Sequence, residues 1–152
     1  MNLSLGGSSE SQAEKDAITY ALGKSALVIA SAGNGGTGTV SCPACDPNPL
    51  SVGATNWPAP LPYYTNGGSG LDIVAPGGEM YSNTTEESGI LSAYLGGGLA
   101  YLQGTSMAAP QVTGTAGVVA SKTAATGSAL RARLLGSTDD KGASGYDTNF
   151  GC

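Results

Sequence analysis

The sequence contains no histidine among its 152 residues. That removes a common metal ligand, and Cys42 and Cys45 form the single CxxC pair, so a structural zinc site lacks a full ligand set. Charge is scarce as well. Asp, Glu, Lys and Arg make up 11% of the chain, against about 25% in an average soluble protein. No Lys or Arg stands between Lys24 and Lys122, while Asp46, Asp72, Glu79, Glu86 and Glu87 all do. With a net charge of −5, such a surface cannot neutralise many phosphates, which argues against nucleic acid as a partner. No apolar run reaches the ~18 residues of a membrane-spanning helix, which argues against a membrane partner. The amino terminus shows no charged segment followed by an apolar one, so no signal peptide is visible.

What the chain has is glycine, 25 residues of it, together with dense clusters of valine, isoleucine and leucine. That combination points to buried strands joined by tight loops, not to disorder. The length suits one domain. Residues 1–5 read as the end of a strand. Residues 8–24 read as a helix, with capping-box pairs at Ser11/Glu14 and Ser9/Gln12 and an apolar stripe through Ala13, Ala17 and Ala21. Residues 25–33 are continuously apolar at their centre, as a strand covered on both faces is. Strand, helix and strand within about thirty residues make a βαβ unit. Further strands are expected at residues 50–54 and 71–77, with a short one at Tyr63 and Tyr64 inside the turn-rich stretch 57–70. A hairpin is expected from residues 90–93 and 99–102, and helices over 105–122 and 128–135. The 105–122 helix is so rich in Ala and Gly that close packing on every side is expected. The Cys42–Cys45 loop fits a local disulfide and two free thiols equally, and Cys152 is left over.

Residues 104–110 read GTSMAAP. Pro110 is expected in the first helical turn, where no N–H bond is lost. Ser106 then sits at the helix amino end, where free N–H groups and the helix dipole favour negative charge. An N-cap serine is the commoner reading of such a residue. A nucleophile whose oxyanion is held by those N–H groups is the functional one. Thr105 is able to cap the helix instead, which leaves Ser106 for chemistry. Asn34 ends the SAGN run after an apolar strand, at the carboxyl edge of a parallel sheet, where sites form in α/β proteins. Its amide is a second oxyanion donor, although Asn after Gly is more often a turn residue.

GTSMAAP, with SLGG at residues 4–7, AGN at 32–34 and LDIVAPG at 71–77, resembles the subtilisin-like serine protease family, nearest its proteinase K branch, in block order and spacing over nearly the whole chain. The resemblance implies an α/β fold of three layers, α/β/α, around a mostly parallel sheet. It implies a serine endopeptidase acting on protein or peptide substrates, with no cofactor needed for the chemistry. Ser106 matches the acyl-forming nucleophile, and Asn34 matches the side-chain oxyanion donor. Ser4, Leu5 and Gly6 match the strand that pairs with substrate backbone. Ser31, Ala32 and Gly33 match the opposite wall of the specificity pocket. Met107 matches the oxidation-prone methionine beside the nucleophile. The loop at residues 42–54 resembles a structural calcium site, with the Pro47 and Pro49 carbonyls and the Asp72 carboxylate as ligands; a solvated or turn-capping Asp72 is an equal reading. An extracellular location is implied by the family.

Such an enzyme needs a histidine base oriented by an aspartate, and in the family both precede the SLGG block. Residues 1–152 therefore read as a partial catalytic domain, incomplete at its amino-terminal side, whose partner is the missing amino-terminal half. Alone, the chain is expected to be inactive and marginally stable. The alternatives are a non-catalytic peptide-binding pseudoprotease and a purely structural module.

Overall fold

A computed structural model describes residues 1–56, 61–80 and 88–152. Part of the turn-rich stretch, residues 57–60, lies outside the described residues, as do Glu86 and Glu87. Four strands, β1 (Asn2–Leu3), β2 (Ile29–Ser31), β3 (Leu50–Thr55) and β4 (Ile73–Pro76), form one sheet in the order β1-β2-β3-β4. Every pairing is parallel, with Leu3 opposite Ala30, Ala30 opposite Ser51, and Val52 opposite Ile73. A separate antiparallel hairpin joins β5 (Ile90–Ala93) to β6 (Leu99–Leu102). The helices are α1 (Gln12–Gly23), α2 (Thr105–Thr123) and α3 (Gly127–Leu135).

Side-chain alternation along the strands splits the core into two layers. Ile29, Leu50, Val52, Ala54 and Ile73 pack with Ala108, Ala109, Val112 and Ala116 of α2 and with Leu130 and Leu134 of α3. On the other face, Val28 packs with Ile18 and Ala21 of α1. The architecture is α/β/α around a parallel sheet, as expected. Of the two capping boxes, the one at Ser11 forms: Glu14 N–H donates to Ser11 Oγ, and the Glu14 carboxylate accepts from Ser11 N–H. Gln12 instead donates to Asp16.

Three expectations are corrected. Tyr63 and Tyr64 form a turn, not a strand: Tyr63 N–H donates to the buried Glu79 carboxylate, and the two rings stack edge-to-face. Helix α2 is not enclosed all round. Thr105, Ala108, Ala109, Val112 and Ala116 are buried at helical spacing, whereas Gly114 and Gly117 face open space and Val118 is 62% exposed. Pro110 is the sixth helical residue, beyond the turn that has no intrahelical bonds to lose. The CPAC loop carries a Cys42–Cys45 disulfide, and Cys152 is an exposed free thiol.

Candidate active site

The carboxyl ends of β1 and β2, the loops after them and the amino end of α2 meet at one place. The link is Asn34. Its Oδ1 accepts from both the N–H and the hydroxyl of Thr105, each at 2.9 Å. The Thr105 hydroxyl in turn accepts from Gly33 N–H at 3.1 Å. With Oδ1 engaged, the Asn34 amide presents its Nδ2 hydrogens, which have no acceptor among the described residues. Thr105 therefore does not cap the helix as expected. The N-cap is Gly104, which makes no side-chain cap, and Thr105 spends its donors on orienting Asn34. Gly104 has φ 142°, and a Cβ there would lie 3.2 Å from Asn34 Nδ2, so the position needs glycine for both backbone and space.

Ser106 is the second residue of α2 and half-buried. At that position its N–H has no intrahelical acceptor, so it points out of the helix end with the positive end of the dipole. The Ser106 hydroxyl makes one long bond, 3.4 Å, to the Ser4 carbonyl. In the reverse direction Ser4 Oγ donates to the Ser106 carbonyl at 2.8 Å. The hydroxyl, the Ser106 N–H and the Asn34 amide thus belong to neighbouring residues of one hydrogen-bonded cluster. Chemically it offers a nucleophile and two donors for developing negative charge. Among the described residues no side-chain base stands within hydrogen-bond reach of the Ser106 hydroxyl.

The two expected substrate walls are stitched together. Ser31 is 2% exposed, and its hydroxyl donates to the Leu5 carbonyl at 3.2 Å. Ser31 thus acts through the backbone of residue 5, and Ala32, fully buried, donates its N–H to Val52. Gly7 and Cys42 exchange a pair of main-chain bonds, 2.9 and 3.0 Å, and Ser41 N–H donates to the Ala32 carbonyl. Ser4, Leu5 and Gly6 are exposed, with Leu5 51% exposed.

The expected calcium ligands meet a different cation. The Arg131 guanidinium donates to Asp72 Oδ1 at 2.6 Å and to the Pro49 carbonyl at 3.1 Å. The other Asp72 oxygen accepts from Ser51 N–H at 2.8 Å. Pro47 is exposed and lines the same cleft as Asp72 and Arg131, with no hydrogen bond to either. A metal ion at the same oxygens would face a fixed positive charge, so these residues do not fit calcium as arranged here. Among the described residues no cluster of three or more Asp, Glu, His or Cys side chains forms a metal site.

Sequence reasoning missed two residues of this cluster, Thr105 as the clamp on Asn34 and Asn66 beneath the loop. Thr105 was legible only as a cap. Asn66 precedes Gly67 and Gly68 and carries the local signature of an ordinary turn.

A family model described as the subtilase family matches residues 1–152. Subtilisin Savinase of Lederbergia lenta is 40% identical over 121 residues, covering 80% of this chain and 41% of its own length. A subtilisin of Bacillus pumilus is 38% identical over 126 residues, covering 80% and 42%. Among solved structures, a protease from Pseudoalteromonas arctica superposes with a TM-score of 0.86 at 32% identity, covering 99% of this chain and 46% of that one. A lanthipeptide protease superposes at 0.83 with 26% identity, covering 99% and 56%. The chain spans less than half the length of these curated relatives.

Proposed function

The chain belongs to the subtilase family, and from that premise we propose that residues 1–152 are the nucleophile-bearing part of a serine endopeptidase domain. Ser106 attacks the scissile carbonyl of a protein or peptide substrate. The peptide C–N bond breaks and the amine half leaves with a proton passed on by the base, and the acyl half remains as an ester on Ser106 until water hydrolyses it. The oxyanion is received by Asn34 Nδ2 and Ser106 N–H. Residues 4–6 pair with the substrate backbone as an added strand, opposite the wall at Ser31, Ala32 and Gly33. The observation that carries this reading is the Thr105–Asn34 clamp, which aims an amide with unengaged donors beside the serine at a helix amino end.

The Ser106 proton must leave to a base, and no histidine exists in this chain. In the subtilisins themselves, loss of the base costs about a millionfold in turnover. The base therefore comes from a complementary segment, the amino-terminal half of the domain, and the chain alone does not turn over. Gly114, Gly117 and Val118, open on α2, give such a segment a surface to cover. The family relatives support an extracellular setting. At the loop that resembles the proteinase K calcium site, Arg131 occupies the Pro49 carbonyl and one Asp72 oxygen, which weighs against a calcium role there.

The absence of histidine favours a second reading, a peptide-binding pseudoprotease. The two separate in one experiment. The chain is combined with a subtilase segment carrying the Asp and His blocks, and hydrolysis of a chromogenic peptide is followed. Turnover that disappears with Ser106→Ala supports the endopeptidase. Peptide binding without turnover, in a complex shown to assemble, supports the binder.

A further inference from the structure

We propose that Asn66 is the positioning residue of the oxyanion site, fixing the loop from which Asn34 projects; its catalytic consequence rests on the endopeptidase reading, its positioning role does not. Asn66 lies 32 residues beyond Asn34 in sequence and is 4% exposed. Its side-chain oxygen accepts from Gly35 N–H at 2.9 Å and from Thr37 N–H at 3.1 Å. Its amide nitrogen donates to the Ala32 carbonyl and to Ser41 Oγ, both at 3.1 Å. An amide side chain has two donor hydrogens and two acceptor lone pairs, and here all four are used. Its main-chain N–H adds a fifth bond, to the Gly33 carbonyl at 3.0 Å.

The pattern of partners is what assigns the role. Asn66 binds residues 32 and 33 on one side of Asn34 and residues 35 and 37 on the other, and has no hydrogen bond to Asn34 itself. Thr105 holds the tip of Asn34, and Asn66 holds its root. The backbone yields to this arrangement: Gly33 takes φ +104°, and a Cβ there would come within 2.4 Å of Asn66 Nδ2. The same amide reaches the substrate wall through Ala32 and the disulfide loop through Ser41. A buried amide with every partner satisfied is costly to disturb, because each lost partner leaves an unpaired polar group. An oxyanion donor acts only when held to within about half an ångström of its place, and the 33–37 loop has no strand or helix of its own to supply that.

The test is NMR on the 152-residue chain. In the wild type, the Gly35 and Thr37 amides should exchange with solvent as slowly as those of the neighbouring sheet, and the two Asn34 side-chain NH₂ protons should resonate away from their free-amide positions. Asn66→Ala should speed exchange at Gly35 and Thr37 by about tenfold or more, leave the β2–β3 amides protected, and collapse the Asn34 pair towards free-amide shifts. Asn66→Asp, which keeps the acceptor for Gly35 and Thr37, should retain most of their protection. The movement of the Asn34 pair is the readout that a merely structural loop stitch would not give. Fast exchange at Gly35 and Thr37 in a wild type whose β2–β3 amides stay protected overturns the proposal without any variant having to fold. So does an unshifted Asn34 pair in a folded Asn66→Ala. Absence of peptide hydrolysis with the complementary segment, alongside the expected NMR changes, would sink the endopeptidase reading and leave the positioning role standing.

Discussion

The Ser4 hydroxyl donates to the main-chain carbonyl of Ser106 at 2.8 Å, across a separation of 102 residues. The bond has a local cause. The Ser106 carbonyl would normally accept from the N–H four residues on, and that residue is Pro110, which has none. Ser4 supplies the missing donor and so ties the segment after β1 to the backbone of Ser106.

Replacing Ser4 with alanine should therefore cost about 1 kcal/mol of stability, the value of one such bond. In a Pro110→Ala background, where the helix makes its own bond to the Ser106 carbonyl, the same replacement should cost measurably less. Urea unfolding of the four proteins in this cycle reads the coupling directly. Equal costs in both backgrounds would show that Pro110 is not what makes Ser4 necessary.

Arg131 should do the work that a structural metal does elsewhere. Millimolar calcium or a chelator should leave the melting temperature of the wild type unchanged. Arg131→Met should lower stability by about 1–2 kcal/mol, intermediate between exposed and buried ion pairs because both partners are about a quarter exposed. Thermal unfolding with and without calcium checks both. A clear calcium-dependent rise in the wild type would contradict the assignment.

Glu10 carries the opposite kind of charge. Its side chain is 4% exposed, and its Oε1 has no partner among the described residues. Burial raises its pKa, with Asp46 adding to the effect and Lys15, 3.9 Å away, opposing it. A raised carboxyl pKa means that the folded chain holds the proton more tightly than the unfolded one. The resulting penalty is present at neutral pH and disappears as pH falls through the raised value. The stability of Glu10→Gln relative to the wild type should therefore rise as pH goes from acid to neutral. Denaturant unfolding at several pH values measures this.

Asp147 behaves in the reverse sense. The N–H groups of Phe150 and Asn149 donate to its Oδ1 at 2.8 and 2.7 Å and lower its pKa, with burial opposing and Ala143 N–H assisting. Its contribution is present above the ordinary Asp value and is lost as pH falls through the lowered one. A carboxyl ¹³C titration should place its midpoint below that of an unperturbed aspartate. The Asn149 and Phe150 amides should lose protection over the same interval. A midpoint at the ordinary value would remove the turn's acid sensitivity.

Much of this was legible because its causes are local. Ser11 and Glu14 mark the start of α1 by a reciprocal bond three residues apart. The apolar run at residues 25–33 has the length and composition of a doubly covered parallel strand, and 50–54 that of a short strand. The small residues of α2 fit close packing on every side without compelling it, and the open face at Gly114 and Gly117 is where a partial domain is expected to be uncovered. Gly114 and Gly117 are small and open. The site divided along the same line. Ser106 was placed by its helix start, whereas its support by Ser4, the clamp of Thr105 on Asn34 and the pairing of Arg131 with Asp72 all join residues 59 or more apart. Nothing in the neighbourhood of any one of them announces its partner.

The central claim is that Ser106 is a complete nucleophile site short of its base. The most direct measurement is mass spectrometry after exposure to a fluorophosphonate, with and without a complementary segment that brings a histidine. The account predicts no adduct on the chain alone and a single adduct on Ser106 in the complex, abolished by Ser106→Ala and weakened by Asn34→Ala. An assembled complex in which Ser106 stays unlabelled, or labelling of the lone chain at an unrelated residue only, would contradict it.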